Sequence, residues 1–276
     1  MSTLVGRSRS ADLRIEQEVV SAHHATIQWS GTGWTVRDLG SRNGTFVNER
    51  RLKHSALQPL GMGDRVGFGG SEQLWRLVDD GPPLPLARGP ERRVAMGQPG
   101  LLAIPGPEAP AVTVMAARSG TWRIEGSNET REVADQQTVV VGGEPWLLRL
   151  PDGPLVPTAG VRSLQLARAQ LSIDGEGGPH PTRLRIIHEP HDFSVDLGST
   201  APLFRLLARA AAEGTWVPRD RLVQGLGVNT RHLNVLVFRL RQQLNDAGFE
   251  DGVQVIERRR GYLRLGTRSV TVAERH

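Results

Sequence analysis

Arginine carries most of the chemistry available to this chain of 276 residues: of its 34 basic residues only Lys53 is a lysine. A guanidinium presents a planar fork of donors that grips a phosphate or carboxylate through two parallel hydrogen bonds, and a hydroxyl or backbone N–H can complete the oxygens. Such forks stand beside other hydrogen-bonding residues at both ends of the chain. Arg42 precedes Asn43-Gly44, where the Asn amide both donates and accepts and so can bridge to a peptide backbone, while Asn-Gly makes a tight turn. Toward the other end lie Arg231, Arg241 and the run Arg258-Arg259-Arg260. So arginine-rich a composition also supplies plain solvated charge, and placement must separate the two.

Other chemistries find little support. There is no cysteine, which removes thiol nucleophiles, cysteine-held zinc and disulfides. The stretch Gly61-Met62-Gly63-Asp64-Arg65-Val66-Gly67 leads into a strand rather than a helix, the wrong context for a nucleotide loop. His23 and His24 are adjacent, so on a strand they face opposite ways and make a poor metal pair. His188 and His191, with Glu189 and Asp192, sit at an expected strand turn where polar residues are ordinary. No G-x-S-x-G or H-E-x-x-H is present. The expectation is a protein without enzymatic activity, cofactor or metal. The absence of an N-terminal apolar run or membrane-length apolar stretch adds the expectation of a cytoplasmic chain.

The elements that position these residues divide the chain. Residues 4–78 show strand signals and no helix: Leu13–Ile15, Ala25–Trp29, Trp34–Asp38, Thr45–Val47, Arg65–Phe68 and Leu74–Val78, separated by Gly, Asn and Ser. Gly6-Arg7, Ser21-Ala22-His23-His24-Ala25, the run from Asp38-Leu39-Gly40-Ser41 through Arg42-Asn43-Gly44-Thr45-Phe46-Val47-Asn48, then Gly63-Asp64-Arg65-Val66 and Phe68-Gly69 follow in an order that resembles the forkhead-associated (FHA) family. The resemblance implies a β-sandwich at 1–80 that binds phosphothreonine peptides. It places Arg7 and Ser21 on the phosphate and Asn43 on the peptide backbone, and makes His24 a residue that holds the Ser21 loop. Ala22 departs from the pattern, which usually has Arg, Lys or Asn there, and Arg42 is the expected substitute. The family also has two further strands before the position of Gly6.

Residues 81–111 are dense in Pro and Gly, which predicts a linker. Strand signals at Val112–Ala116, Thr121–Glu125, Thr138–Val141 and Trp146–Leu150 then predict a small β unit at 112–150. Gly33-Trp34-Thr35-Val36 is echoed by Gly120-Thr121-Trp122-Arg123-Ile124, so this unit is a candidate for the missing strands, a degenerate extension of the first sandwich. A second linker is predicted at 151–162.

The last segment, 163–268, changes period. After strands at Ser163–Ile173, Arg183–His188 and Phe193–Leu197, Leu203, Leu206, Leu207 and Ala210 recur at helical spacing, with Pro202 in the first turn and Gly214 as the stop. A short helix follows at Pro218–Leu226. A third spans 229–247, with Leu233, Val237, Leu240 and Leu244 as its apolar stripe and Arg231, Asn234, Val235, Phe238, Arg241 and Asn245 opposite. A hairpin at Val253–Leu265 turns through Arg258-Arg259-Arg260-Gly261. The order sheet, three helices, basic hairpin resembles the OmpR-like winged helix-turn-helix, with Asn234 where Asp is usual and Leu236 where His is usual. That implies double-stranded DNA as a partner, contacted by Arg231, Asn234, Val235, Phe238, Arg241 and the wing residues Arg258, Arg259 and Arg260. Charge agrees: residues 160–276 hold 17 basic and 12 acidic residues, so all of the net +5 lies there.

The expected whole is mainly β with a C-terminal α+β domain. Its expected function is a transcriptional regulator that reads a phosphothreonine made by a Ser/Thr kinase and binds DNA. The partner phosphoprotein is the kinase, another protein or a second copy of the chain, which would make a homodimer. The alternative is a signalling adaptor whose winged helix, with Phe238 on its outward face, contacts another protein and no DNA.

Overall fold

The computed structural model describes residues 1–117, 120–126, 130–152, 164–249 and 255–273. They fall into two compact units, Met1–Pro83 and Leu84–His276.

The first unit is a sandwich of a five-stranded sheet, in the order Leu13–Arg14, Ser2–Gly6, Ala25–Trp29, Trp34–Asp38, Leu57–Leu60, and a four-stranded sheet, Arg50–Arg51, Thr45–Val47, Arg65–Phe68, Leu74–Arg76. Alternation of side chains sends Val5, Ala25 and Val36 from one sheet toward Val47, Val66 and Phe68 of the other. Leu57–Leu60, not foreseen because Pro59 interrupts it, lies at a sheet edge, where a missing N–H is tolerated. Trp34 donates its indole N–H to the Gly81 carbonyl and ties down the end of the unit.

The second unit begins with a sandwich of its own. One sheet runs Val94–Met96, Leu86–Arg88, Glu144–Arg149, Thr138–Val141; the other runs Leu101–Ile104, Val112–Ala116, Trp122–Glu125, Thr130–Val133. This corrects two expectations. Residues 81–111 are not simply a linker, because three short strands lie within them; their Pro and Gly close turns, as where the Gly97 N–H donates to the Pro85 carbonyl. The unit at 112–150 completes itself with those strands instead of extending the first sandwich. Trp146, Leu148, Val139, Leu102, Ile104 and Val114 fill its interior. The expected linker at 151–162 falls, from residue 153 onward, outside the described residues.

A four-stranded sheet follows, His191–Asp196, Arg183–His188, Gln170–Asp174 and the parallel Val270–Ala273. Helices α1 (Ala201–Ala212), α2 (Arg219–Leu226) and α3 (Thr230–Asp246) share one buried core with it, α1 lying against Val270–Ala273. Pro202 stands in the first turn of α1. Gly227 ends α2 at φ 64°, a left-handed conformation that only glycine adopts without strain. Asn229 caps α3, its side-chain oxygen accepting the His232 N–H at 2.8 Å. A three-stranded sheet, Val217–Pro218, Tyr262–Leu265, Ile256–Arg259, closes the unit. Leu233, Leu240 and Leu244 of α3 are fully buried, as the apolar stripe requires.

Candidate phosphopeptide site and the covered face of α3

In the first unit, Arg7, Ser21, Arg42 and Asn43 come together on three loops at one end of the sandwich. Arg7 follows the strand Ser2–Gly6, and its backbone N–H donates to the Ser21 carbonyl at 2.9 Å while its Nε donates to the Val20 carbonyl at 3.2 Å. Gly6 makes this approach feasible, since a Cβ there would lie 2.1 Å from the Ala22 carbonyl oxygen. Ser21 Oγ accepts the Arg42 N–H at 3.0 Å, which leaves its own proton free to donate outward. Asn43 Nδ2 donates to the Val19 carbonyl at 2.8 Å, with its amide oxygen free to accept from an incoming backbone. The Arg7 and Arg42 side chains are exposed.

Two buried residues hold these loops. His24 is fully buried; Nδ1 accepts the Ser21 N–H at 3.1 Å, so Nε2 carries the proton and donates to the Gly44 carbonyl at 3.1 Å. Burial pushes its pKa below the ordinary 6.5, outweighing the Gly44 hydrogen bond and the nearby Asp38 charge. Asp38 accepts from the Ser41 and Thr45 hydroxyls at 2.6 and 2.7 Å and from the backbone N–H of Gly40 and Ser41. Burial alone would raise its pKa, but these hydrogen bonds together hold it below the usual carboxylate range. The histidine and the aspartate thus pin the Ser21 and Arg42-Asn43 loops from beneath.

Arg51 was not singled out by the sequence. Its guanidinium lies over Gly44, whose absent Cβ would sit 2.3 Å from the Arg51 Nε. The pairing of Phe46 with Arg51 brings it there, and cross-strand register has no local sequence signature.

The residues expected to contact DNA are divided by the fold. Arg231, Arg259 and Arg260 are exposed. Val235, Phe238 and Arg241 are buried, with 6, 4 and 2% of their surface accessible, and Asn234 is half-buried. Phe238, Asn234 and Arg241 meet the sandwich that contains Leu101–Ile104. Phe238 packs against Leu101, Ala103 and Met115. Asn234 and Asn245 donate to the carbonyls of Pro110 and Pro99, and Arg239 pairs with Glu108 at 2.9 Å. Arg241 NH1 lies 2.6 Å from Glu125 Oε2, both side chains 2% exposed, and Arg258 Nε lies 3.5 Å from the other oxygen. The outward side of α3 reads as exposed in the sequence because period alone cannot reveal a second packing partner.

Of the residues weighed as a metal cluster, His188 Nε2 accepts the Gln165 N–H and Asp192 pairs with Arg185 at 2.6 Å. No helix among the described residues is long and apolar enough to cross a membrane.

Comparison with known proteins matches residues 3–69 to the FHA domain family, so the N-terminal unit is an FHA domain. FhaB, an FHA domain-containing protein of Mycobacterium tuberculosis, is 33% identical over 64 residues, which are 23% of this chain and 41% of that protein. The chain therefore spans about two fifths of the length of that curated relative. The solved FHA domain of the CT664 protein from Chlamydia trachomatis is 30% identical, over 29% of this chain and 76% of that one, with a TM-score of 0.26. A structure from work on phosphothreonine-dependent FHA domain interactions is 34% identical over 25% of this chain and 68% of its own, with a TM-score of 0.23.

Proposed function

We propose that the protein is a non-enzymatic reader of phosphothreonine in partner proteins. The observation that carries this reading is the convergence of Arg7, the donor-oriented Ser21 hydroxyl, Arg42 and Asn43 on loops fixed from below by His24 and Asp38. A dianionic phosphate takes two guanidinium bonds from Arg7, one from the Ser21 hydroxyl, and long-range attraction from Arg42, while Asn43 reads the peptide backbone. FHA homologues bind phosphothreonine peptides, which supports the same chemistry at this site. Arg42 compensates for Ala22. The test is titration calorimetry of the full chain with a phosphothreonine peptide and its unphosphorylated counterpart. Binding of the first and not the second supports the reading, and equal binding refutes it.

The C-terminal helices and the Arg259-Arg260 hairpin serve, in this reading, as a winged helix that passes the signal on. Phe238, the apolar residue on which the adaptor form rests, is covered by Leu101, Ala103 and Met115 of the same chain, so in that form the domain meets its protein partner through another surface. The exposed Arg231, Arg259 and Arg260 favour the second form, contact with double-stranded DNA through a basic wing and the start of α3. Salt separates the two. Counterion release makes DNA affinity fall steeply as salt rises, and an apolar protein contact is far less sensitive.

A further inference from the structure

The hairpin that follows the Asn43 loop carries a further guanidinium to the phosphopeptide site. Thr45–Val47 pairs with Arg50–Arg51 through a turn in which Asn48 and Glu49 both have positive φ, 48° and 69°, the geometry of a two-residue hairpin. Side-chain hydrogen bonds fix this turn. Asn48 donates its amide N–H to Asp64 at 2.8 Å, and its amide oxygen accepts the Arg65 N–H at 3.0 Å. At the other end of the hairpin the Leu52 N–H donates to the Thr45 carbonyl at 2.8 Å. Between these anchors the Arg51 side chain reaches back over Gly44, where an added Cβ would lie 2.3 Å from Nε and 3.1 Å from Nη2.

The neighbouring carboxylates are engaged elsewhere. Glu49, on the hairpin itself, pairs with Arg65 at 3.1 Å, and Asp38 accepts from the Ser41 and Thr45 hydroxyls and from the backbone beneath the loop. The Arg51 side chain is exposed, and among the described residues no carboxylate pairs with it. Its place along a bound peptide follows from the loop. The Arg42 N–H supports the Ser21 hydroxyl, Asn43 holds the peptide backbone in the proposed function, and Gly44 lies beneath Arg51. The Cα atoms of Arg42 and Gly44 are no more than roughly 7.5 Å apart, about two residues of an extended peptide at 3.3 Å each. A guanidinium exposed there is placed to meet a side chain flanking the phosphothreonine, and its planar fork suits a carboxylate or a phosphoryl group. We propose that Arg51 determines specificity at this site by binding an anionic side chain, a carboxylate or a second phosphoryl group, within about three residues of the phosphothreonine, so that the partner segment is anionic beyond the phosphothreonine itself. The inference rests on the phosphothreonine-reading function and names the class of segment that this site selects.

The experiment is titration calorimetry of the full chain with phosphothreonine peptides that carry Gln, Glu or phosphoserine at one flanking position at a time, from the third residue before the phosphothreonine to the third after it. The readout is the ratio of affinities for an anionic peptide and its Gln counterpart on the same variant, in which any general loss of affinity or stability cancels. Expected at one position or more is a ratio of at least about three in the wild type, falling to about one in Arg51→Gln. Arg51→Lys, which keeps the charge and loses the fork, should give an intermediate ratio. Lys53→Gln, which removes an exposed charge from the same segment, should leave the ratio as it was. Equal gains from Glu and phosphoserine support an acidic segment, a gain confined to phosphoserine supports a doubly phosphorylated one, and both keep Arg51 in its role. A wild-type ratio near one at every position, a ratio that survives Arg51→Gln, or one that Lys53→Gln abolishes as fully, overturns the inference and leaves phosphothreonine reading intact. Wild-type binding that is indifferent to phosphorylation of the threonine removes that reading and the inference with it.

Discussion

The loop end of the FHA domain and the outward side of α3 are built from the same residue types, arginine and asparagine, with opposite fates. At the loops, Arg7 and Arg42 remain in water while the backbone around them is hydrogen-bonded and a buried histidine and aspartate hold the geometry. On α3, Arg241 is buried and paired, and Asn234 and Asn245 bond to carbonyls of the sandwich. The difference lies in what stands opposite. A loop cluster at the end of a sandwich has no neighbouring layer to bury it, whereas a helix has a second side that another layer can occupy. The same chemistry is thus presented for binding in one place and consumed as structure in the other.

The largest test of this contrast is Glu125→Ala. If Glu125 is the counterion of a buried cation cluster, its loss should cost about 3–5 kcal/mol in the unfolding free energy of the second unit, as for other broken buried pairs. Equilibrium urea denaturation of the full chain measures it, and a change within ~0.5 kcal/mol, the range of a surface substitution, would mean the cluster is solvated after all. Arg7→Ala should act the other way round. It should weaken phosphothreonine-peptide binding by about 1.5–3 kcal/mol, the worth of hydrogen bonds to a charged group, while thermal unfolding stays at the wild-type temperature. A fall in stability equal to that of a core substitution would place Arg7 in the structure rather than at the ligand.

A smaller effect comes from pH. His24 has a folded-state pKa below its ordinary 6.5, so the unfolded chain takes up the proton first. Its contribution to stability is present above about pH 6.5 and is lost as pH falls through the lowered folded value. Protonation would also oblige Nδ1 to stop accepting from Ser21. Denaturation of the unliganded protein between pH 7.5 and 5 should show this loss, and His24→Gln should flatten it; an unchanged slope would assign the pH dependence elsewhere. Arg42→Ala should have the least effect. Its backbone N–H still supports Ser21, so only an exposed charge is removed, about 0.5 kcal/mol or a two- to threefold weaker peptide. A loss as large as that of Arg7→Ala would make Arg42 a direct phosphate ligand.

The convergence of Arg7, Ser21, Arg42 and Asn43 was legible because these residues lie in short loops whose neighbours are set by local turns: Asn43-Gly44, the Asp38-to-Ser41 turn, Gly6 where a backbone must pass close. The helices were legible from their apolar stripe, and the end of α2 at Gly227 and the cap at Asn229 agree with it. The strands at 86–104 were not. Leu101, Leu102, Ala103 and Ile104 form a continuous apolar run, buried on one face by the sandwich and on the other by α3, and such a run carries no alternation to mark it as a strand. The flanking Pro and Gly then looked like a linker.

By itself the sequence determined that Arg7, Ser21, Arg42 and Asn43 lie on turns of an N-terminal β-sandwich, and that α3 keeps Leu233, Leu240 and Leu244 inward. These follow from turn chemistry and side-chain period, which act within a few residues of one another. Only the tertiary structure decided that Phe238, Arg241 and Arg258 are covered, because their partners Met115 and Glu125 lie more than a hundred residues away in the chain. Packing across such a distance depends on which sheet face is left apolar after its own core is filled. For Leu101, Ala103 and Met115 that face meets α3.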